Sequence, residues 1–307
     1  MSTTHHIYSD LAAFDRAPVW LNSEPLTAEE LRGRVVLVDI WTYSCVNWLR
    51  TLPYVRAWAD RYHDRGLVVV GAHCPEFGFE HDLDNVRHAT RELGVDYPVV
   101  IDNDFAIWQS LANQYWPALY LVDRDGRIRF HHFGEGNYEE TERAIQQLLG
   151  IDEETVRVAA DGLAEAADWD TLGSGETYVG DGRGVGRVDS PAHLALNHWA
   201  LAGDWTVEDE SALLGTAGGS VTFRFHARDL NLVLTPPASG APVRFTASLD
   251  GQPPGADHGL DVNELGEGTV DEPRMYQLVR QHGPIAPRTF EITFLDPGVR
   301  AYVFTFG

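Results

Sequence analysis

The pattern that most restricts the fold of this chain lies between residues 35 and 149, where short apolar runs alternate with amphipathic stretches. The run VVLVDIW (35–41) reads as a buried strand, and a helix follows over about 45–63. LVVVGAH (67–73) is a second β-branched run, 82–93 has helical spacing, YPVVI (97–101) is a third strand and 105–111 a short helix. ALYLV (118–122) and IRFHHF (128–133) flank the turn signal DRDG (123–126) and so make a hairpin. Residues 138–149 close the segment with an amphipathic helix that puts Ile145, Leu148 and Leu149 on one face. Strand–helix–strand first and hairpin–helix last implies an α/β domain, a mixed sheet flanked by helices, over residues 1–150.

Beyond it the character changes twice. Residues 151–173 are acidic and Ala-rich, which predicts a helix leading into a linker. From 174 to 307 Gly and Pro are frequent and the apolar pattern has period two. In SVTFRFH (220–226), Val221, Phe223 and Phe225 share a face; in TFEITF (289–294), Phe290, Ile292 and Phe294 do the same. With further runs at 230–234, 243–249, 275–280 and 299–306, this predicts an all-β, jelly-roll-like sandwich.

Charge and cysteine content narrow the function. The 307 residues carry 23 Lys+Arg against 46 Asp+Glu, a formal net charge of −23, so nucleic acid and anionic membrane surfaces would be repelled. Every basic residue among the 23 is Arg, which excludes lysine Schiff-base chemistry. The N-terminus shows no basic and apolar leader pattern, and no later stretch approaches the roughly 18 apolar residues of a membrane span. The expectation is a cytoplasmic protein with no membrane segment, in which its two cysteines, Cys45 and Cys74, are reduced at rest.

The sharpest local feature is WTYSCVNWLRTLP (41–53). Cys45 falls where the first strand ends and a helix begins. Unpaired N–H groups and the helix dipole favour an anion there, so the thiol should ionise more readily than a free cysteine, whose pKa is about 8.5. Pro53 should bend the helix that carries it.

The WTYSC element, the later QYWPA (114–118) and the DRDG hairpin resemble the thioredoxin-like domains of the TlpA/DipZ type. The resemblance continues through NHWALAGDW (197–205), RFHARD (224–229), PGADH (254–258), YQLVR (276–280) and FLDPG (294–298), similar to the carbohydrate-binding-module-like C-terminal domain of DipZ proteins. It implies a thioredoxin-like fold, a cis Pro117 facing the active-site cysteine, and thiol-dependent oxidoreductase chemistry with Cys45 as nucleophile. Two departures stand out. DipZ proteins carry a CcdA-like membrane part that this sequence does not show, and the family's Cys-x-x-Cys here ends in Trp48. A dithiol enzyme needs the second thiol to release the mixed disulfide.

In that fold Cys74, in HCPE (73–76), ends the strand parallel to the one before Cys45, so Cys74 or an external thiol is expected to resolve the adduct. The last strand would bring His131, His132 and Glu135 to the same rim; with His73 and Glu76, His132 and Glu135 are candidate acids or bases. At most one of the adjacent His131 and His132 can line the site. Trp41, Tyr43, Trp48, Tyr115, Trp116 and Pro117 are the expected substrate-binding group, with Trp48 a partly exposed lid.

Metal readings are weaker. Cys45, Cys74, His73 and His132 would make a soft copper or zinc site only if all converge. Asp261, Asn263 and Glu272 partly echo a calcium loop. No cofactor is expected. The partner is a small thiol or small-molecule substrate, or a redox partner protein. Three readings stay open: thiol–disulfide exchange, redox-neutral covalent thiol catalysis on a small metabolite, and a degenerate thioredoxin-fold binding module.

Overall fold

The computed structural model describes residues 11–307; the leader reading of residues 1–10 lies outside the described residues. The chain divides into two compact units, 1–164 and 165–307.

The first unit is built on a six-stranded mixed sheet: β1 (Trp20–Leu21), β2 (Val35–Trp41), β3 (Leu67–His73), β4 (Val99–Ile101), β5 (Ala118–Val122) and β6 (Ile128–Phe133), in the order β1-β4-β3-β2-β5-β6. β2, β3 and β4 are parallel, β5 and β6 antiparallel to them. Parallel central strands are covered on both faces, which is why β2 and β3 read as continuous apolar runs. The helices are α1 (Ala28–Leu31), α2 (Val46–Tyr62), α3 (Leu83–Glu92), α4 (Ala106–Ser110) and α5 (Tyr138–Leu149). Asp82 caps α3 by accepting from the Asp84 N–H at 2.8 Å. The β5–β6 turn closes on Asp123, which takes the Asp125 and Arg127 N–H groups, with Gly126 at φ +80°.

The helix expected within 151–173 does not form: the segment is coil with one 3-10 turn at Gly162–Ala164. Its backbone is tied down by side chains instead. Buried Glu142 of α5 accepts from the Val156 N–H, and Arg143 donates to the Glu153 carbonyl. Arg61 and Arg65 hold the Glu153 carboxylate. Acidic composition gave good helix formers, but no apolar stripe at 3.6-residue spacing was there to pack.

The second unit is a two-sheet sandwich. Its strands are β7 (Thr177–Tyr178), β8 (Trp199–Ala202), β9 (Trp205–Val207), β10 (Ala212–Leu214), β11 (Ser220–Phe225), β12 (Asp229–Thr235), β13 (Val243–Leu249), β14 (Glu267–Val270), β15 (Arg274–Arg280), β16 (Arg288–Phe294) and β17 (Arg300–Phe306). One sheet runs β15-β12-β17-β10-β9, with β7 also on β17; the other runs β14-β13-β16-β11-β8. Val221, Phe223, Phe225, Phe290, Ile292 and Phe294 all enter the shared core, as the period-two pattern requires. Asp229, fully buried, is held between Arg228 (2.7 Å) and Arg280 (2.7 Å), and both arginines also bind Glu165.

The expected calcium loop is otherwise engaged. Asp261 binds Arg274 at 2.8 Å and takes the Gln277 N–H, while Asn263 folds onto Leu265 and Glu267. An acidic loop with its oxygens committed to an arginine and to its own backbone has no ligand set to offer. Among the described residues no group of three or more His, Cys, Asp or Glu side chains is placed to hold a metal ion.

Candidate functional site

Cys45 is the N-cap of α2, half-buried, at the end of a turn in which its N–H donates to the Thr42 carbonyl at 3.3 Å. Its own carbonyl accepts the Leu49 N–H at 3.0 Å, so helix α2 starts at the sulfur-bearing residue. Cys45 therefore stands at the N-terminus of a 17-residue helix, partly accessible, where the helix dipole favours negative charge although its side chain makes no capping hydrogen bond.

Sheet parity decides what lies beneath. On β2 and β3, Asp39, Trp41, Gly71 and His73 share the face covered by α2, as the Trp48 contacts show: its indole stacks on Trp41 at 4.2 Å and donates to Asp39 Oδ2 at 3.0 Å. Tyr97 donates to the same carboxylate oxygen at 3.1 Å. Gly71 is required here, because a Cβ would stand 2.8 Å from the Trp41 indole nitrogen. Trp48 is thus no lid. It is 0% exposed, a plug between helix and sheet, and the position three after Cys45 holds the largest side chain available instead of a second sulfur.

Cys74 belongs to the opposite face. It packs with Val38, Ile40, Val70, Ala72 and Tyr120, is 0% exposed, and its thiol donates to Asp102 Oδ2 at 3.3 Å. Burial first, and the Asp102 carboxylate second, push this thiol well above the usual range. Cys74 is thus a sealed thiol that burial keeps protonated, on the face of the sheet opposite Trp41 and His73. Adjacent strands do share a rim, but one residue of offset turns the side chain over.

The other expected site residues fall into separate groups. His73 stacks on Tyr43 (5.8 Å) and meets Trp41 edge-on (4.9 Å); burial drives its pKa down to about 3, so it stays neutral and enclosed. Pro117 is cis, as the resemblance implied, and its carbonyl accepts the Gly134 N–H at 2.8 Å. Trp116 packs on Trp108 and donates to the Cys74 carbonyl, which puts it on the Cys74 face, away from Trp41 and Trp48. Tyr115, about half exposed, lies against Phe133. The single aromatic cluster expected around Cys45 is therefore two clusters, one per face of the sheet. His132 contacts the Glu135 carbonyl at 3.3 Å, whereas His131 turns to Phe133 and Tyr120. Glu135 is no open acid or base: it forms a buried 2.9 Å ion pair with Arg50 of α2. Glu76 is half-buried and its N–H serves Glu80. The soft metal set cannot assemble, since Cys74 and His73 point to opposite faces.

The buried charged groups around Cys45 include Asp39, Glu80 and Arg50, which are not among the site residues expected from sequence. Asp39 was visible as the one acid inside VVLVDIW. Burial raises Asp39 to about 7 against its two donors, and raises Glu80 to about 7 against its own. A carboxyl whose folded pKa is raised binds its proton more tightly in the folded state. Its contribution to stability is thus full below about pH 4 and is lost as pH rises to about 7. His73 has the opposite sense, so the clean quantity is a difference between proteins. Relative to the unmodified chain, Asp39→Asn should gain stability on the order of 3 kcal/mol between pH 4 and pH 8 in urea titrations. A gap independent of pH would show that Asp39 is ionised throughout.

Residues 15–149 match the Redoxin family, and residues 172–307 match the family of thioredoxin-like C-terminal domains. The chain belongs to the thioredoxin-like family that includes thiol–disulfide oxidoreductases. It is 35% identical over 251 residues to Protein DipZ of Mycobacterium tuberculosis, an alignment covering 76% of this chain and 35% of that one. It is 30% identical to thiol-disulfide oxidoreductase YkuV of Bacillus subtilis, covering 42% of this chain and 87% of YkuV. A thioredoxin-like protein solved in its oxidised form aligns with a TM-score of 0.40 at 29% identity, over 43% of this chain and 89% of that one. The chain thus spans about a third of the length of the DipZ proteins it matches. Among the described residues no helix is long and apolar enough to cross a membrane.

Proposed function

We propose that the first unit performs thiol–disulfide exchange through Cys45 alone. The Cys45 thiolate attacks one sulfur of a disulfide R–S–S–R′; that bond breaks, R′S⁻ leaves, and Cys45 is held in a mixed disulfide with R. A thiolate from solution, R″S⁻, then attacks the sulfur of R, forming R–S–S–R″ and returning the Cys45 thiolate. The observation that carries this reading is the pairing of a partly accessible N-cap cysteine with a sealed indole at the position three residues on. The sealed Cys74 supports an external resolving thiol, and the likeness to a thiol-disulfide oxidoreductase supports the chemistry.

Treatment with neutral hydroxyethyl disulfide, read by intact mass, is expected to add one thiol moiety. The adduct should vanish in Cys45→Ser, persist in Cys74→Ser and be cleared by added low-molecular-weight thiol. Loss of two hydrogens in the unmodified protein would mean that Cys45 and Cys74 pair after all, and would overturn the one-thiol reading.

Charge should select among disulfides. With a net charge of −23, the protein should exchange roughly tenfold faster with cationic cystamine than with anionic glutathione disulfide at low salt, and the ratio should shrink as salt is added. Equal rates for the two probes would remove electrostatic selection from the account.

A further inference from the structure

Glu80 lies in the segment between β3 and α3, far from Cys45 in sequence, and is fully buried. Its two oxygens are divided between two tasks. Oε2 accepts the N–H groups of Glu76 (2.6 Å) and Phe77 (3.0 Å), which fixes the carboxylate within its own loop. Oε1 accepts the hydroxyl of Ser44 at 2.6 Å, a short bond to the residue immediately before Cys45. The loop is itself anchored: Asn85 donates to the Phe79 carbonyl and Asn103 to that of His81. Phe79 also meets Tyr43, two residues before Cys45, edge-on at 6.0 Å. The turn that carries Cys45 is therefore fastened to this loop at both Tyr43 and Ser44.

We infer that the Ser44–Glu80 hydrogen bond is a positioning device for Cys45. It holds the turn from Thr42 so that Cys45 keeps its place at the N-terminus of α2, where the helix dipole stabilises negative charge on sulfur as it attacks. Glu80 and Ser44 are positioning residues, since neither is assigned contact with substrate. The inference rests on Cys45 being the reactive thiol, as proposed above.

The test is the second-order rate of Cys45 with iodoacetamide, which needs no exchange partner, alongside the rate with hydroxyethyl disulfide. Ser44→Ala removes the hydroxyl and Glu80→Ala removes the acceptor; each is expected to slow both reactions about tenfold. Glu80→Gln keeps the amide oxygen for the loop N–H groups and turns its NH2 to the Ser44 oxygen. It should therefore react at or above the rate of the unmodified protein. The sign separates positioning from mere stability, because a loosened fold would expose Cys45 and speed alkylation. Ser44→Ala reacting as fast as the unmodified protein, or faster, overturns the inference, and so does Glu80→Gln as slow as Ser44→Ala. Should Glu80→Ala fail to fold, Ser44→Ala against Glu80→Gln decides alone. If the unmodified protein is alkylated at Cys45 yet forms no mixed disulfide, the proposed exchange falls while the positioning is still read by iodoacetamide.

Discussion

Trp48→Cys is expected to turn a one-thiol site into a dithiol site while weakening the fold. Cys45 is the N-cap and residue 48 lies one turn on, a spacing that brings Cβ atoms to about 5–6 Å and Cα atoms into the range of about 4.4–6.8 Å that a disulfide spans. Mild oxidation of this variant should remove two hydrogens, which the unmodified chain should not lose. The reduced variant should be less stable by about 3–5 kcal/mol, because a fully buried indole leaves a cavity between α2 and the sheet. Asp39 would also keep only Tyr97 as a side-chain donor, and its carboxyl should rise further above the carboxylate range. Intact mass reads the hydrogens, and urea unfolding under reducing conditions reads the stability. A well-folded variant that keeps both thiols under oxidation would show that the helix N-terminus cannot accommodate the bridge.

Arg50→Ala is expected to be as damaging. The Arg50–Glu135 pair has side chains only 2% and 6% exposed and joins α2 to the loop between β6 and α5. Burial already raises the Glu135 carboxyl despite the adjacent guanidinium, so desolvation outweighs attraction even with the partner present. Removing Arg50 leaves a buried acid alone, at a cost of about 3–5 kcal/mol. The double variant Arg50→Met with Glu135→Leu should recover much of that loss, since it takes away both charges. Hydrogen exchange of peptides from α2 and β6, followed by mass spectrometry, measures the effect within this unit separately from the sandwich. A change under about 1 kcal/mol in Arg50→Ala would mean that water reaches Glu135.

How far the sequence could be read follows from which physical signals are local. β2, β3, β5 and β6 were legible because each is a short run bounded by turn residues, and Cys45 because a thiol at a strand-to-helix junction is conspicuous. For Cys74 the sequence indicates the strand end but not the face: pairing of strands is foreseeable, whereas the direction of a side chain just past a strand end depends on where the backbone leaves the sheet. Trp48 was read as exposed because first-turn helix positions often are. What buries it is Gly71, distant in sequence, whose missing side chain makes room for Trp41, on which Trp48 stacks. Glu80 and Arg50 escaped notice for the same reason. Each is an ordinary charged residue until a partner 36 or 85 positions away is known.

The last strand of the sandwich has a bearing on how the protein is made. β17 lies in the interior of its sheet, bonded to β12 on one side and to β10 and β7 on the other, and Val303 pairs with Tyr178. On a ribosome, every other strand of that sheet leaves the exit tunnel before the one that joins β12 to β10 and β7. That sheet therefore has to wait, open at its middle, until this stretch is made, whereas the first unit can close while the second is still being translated.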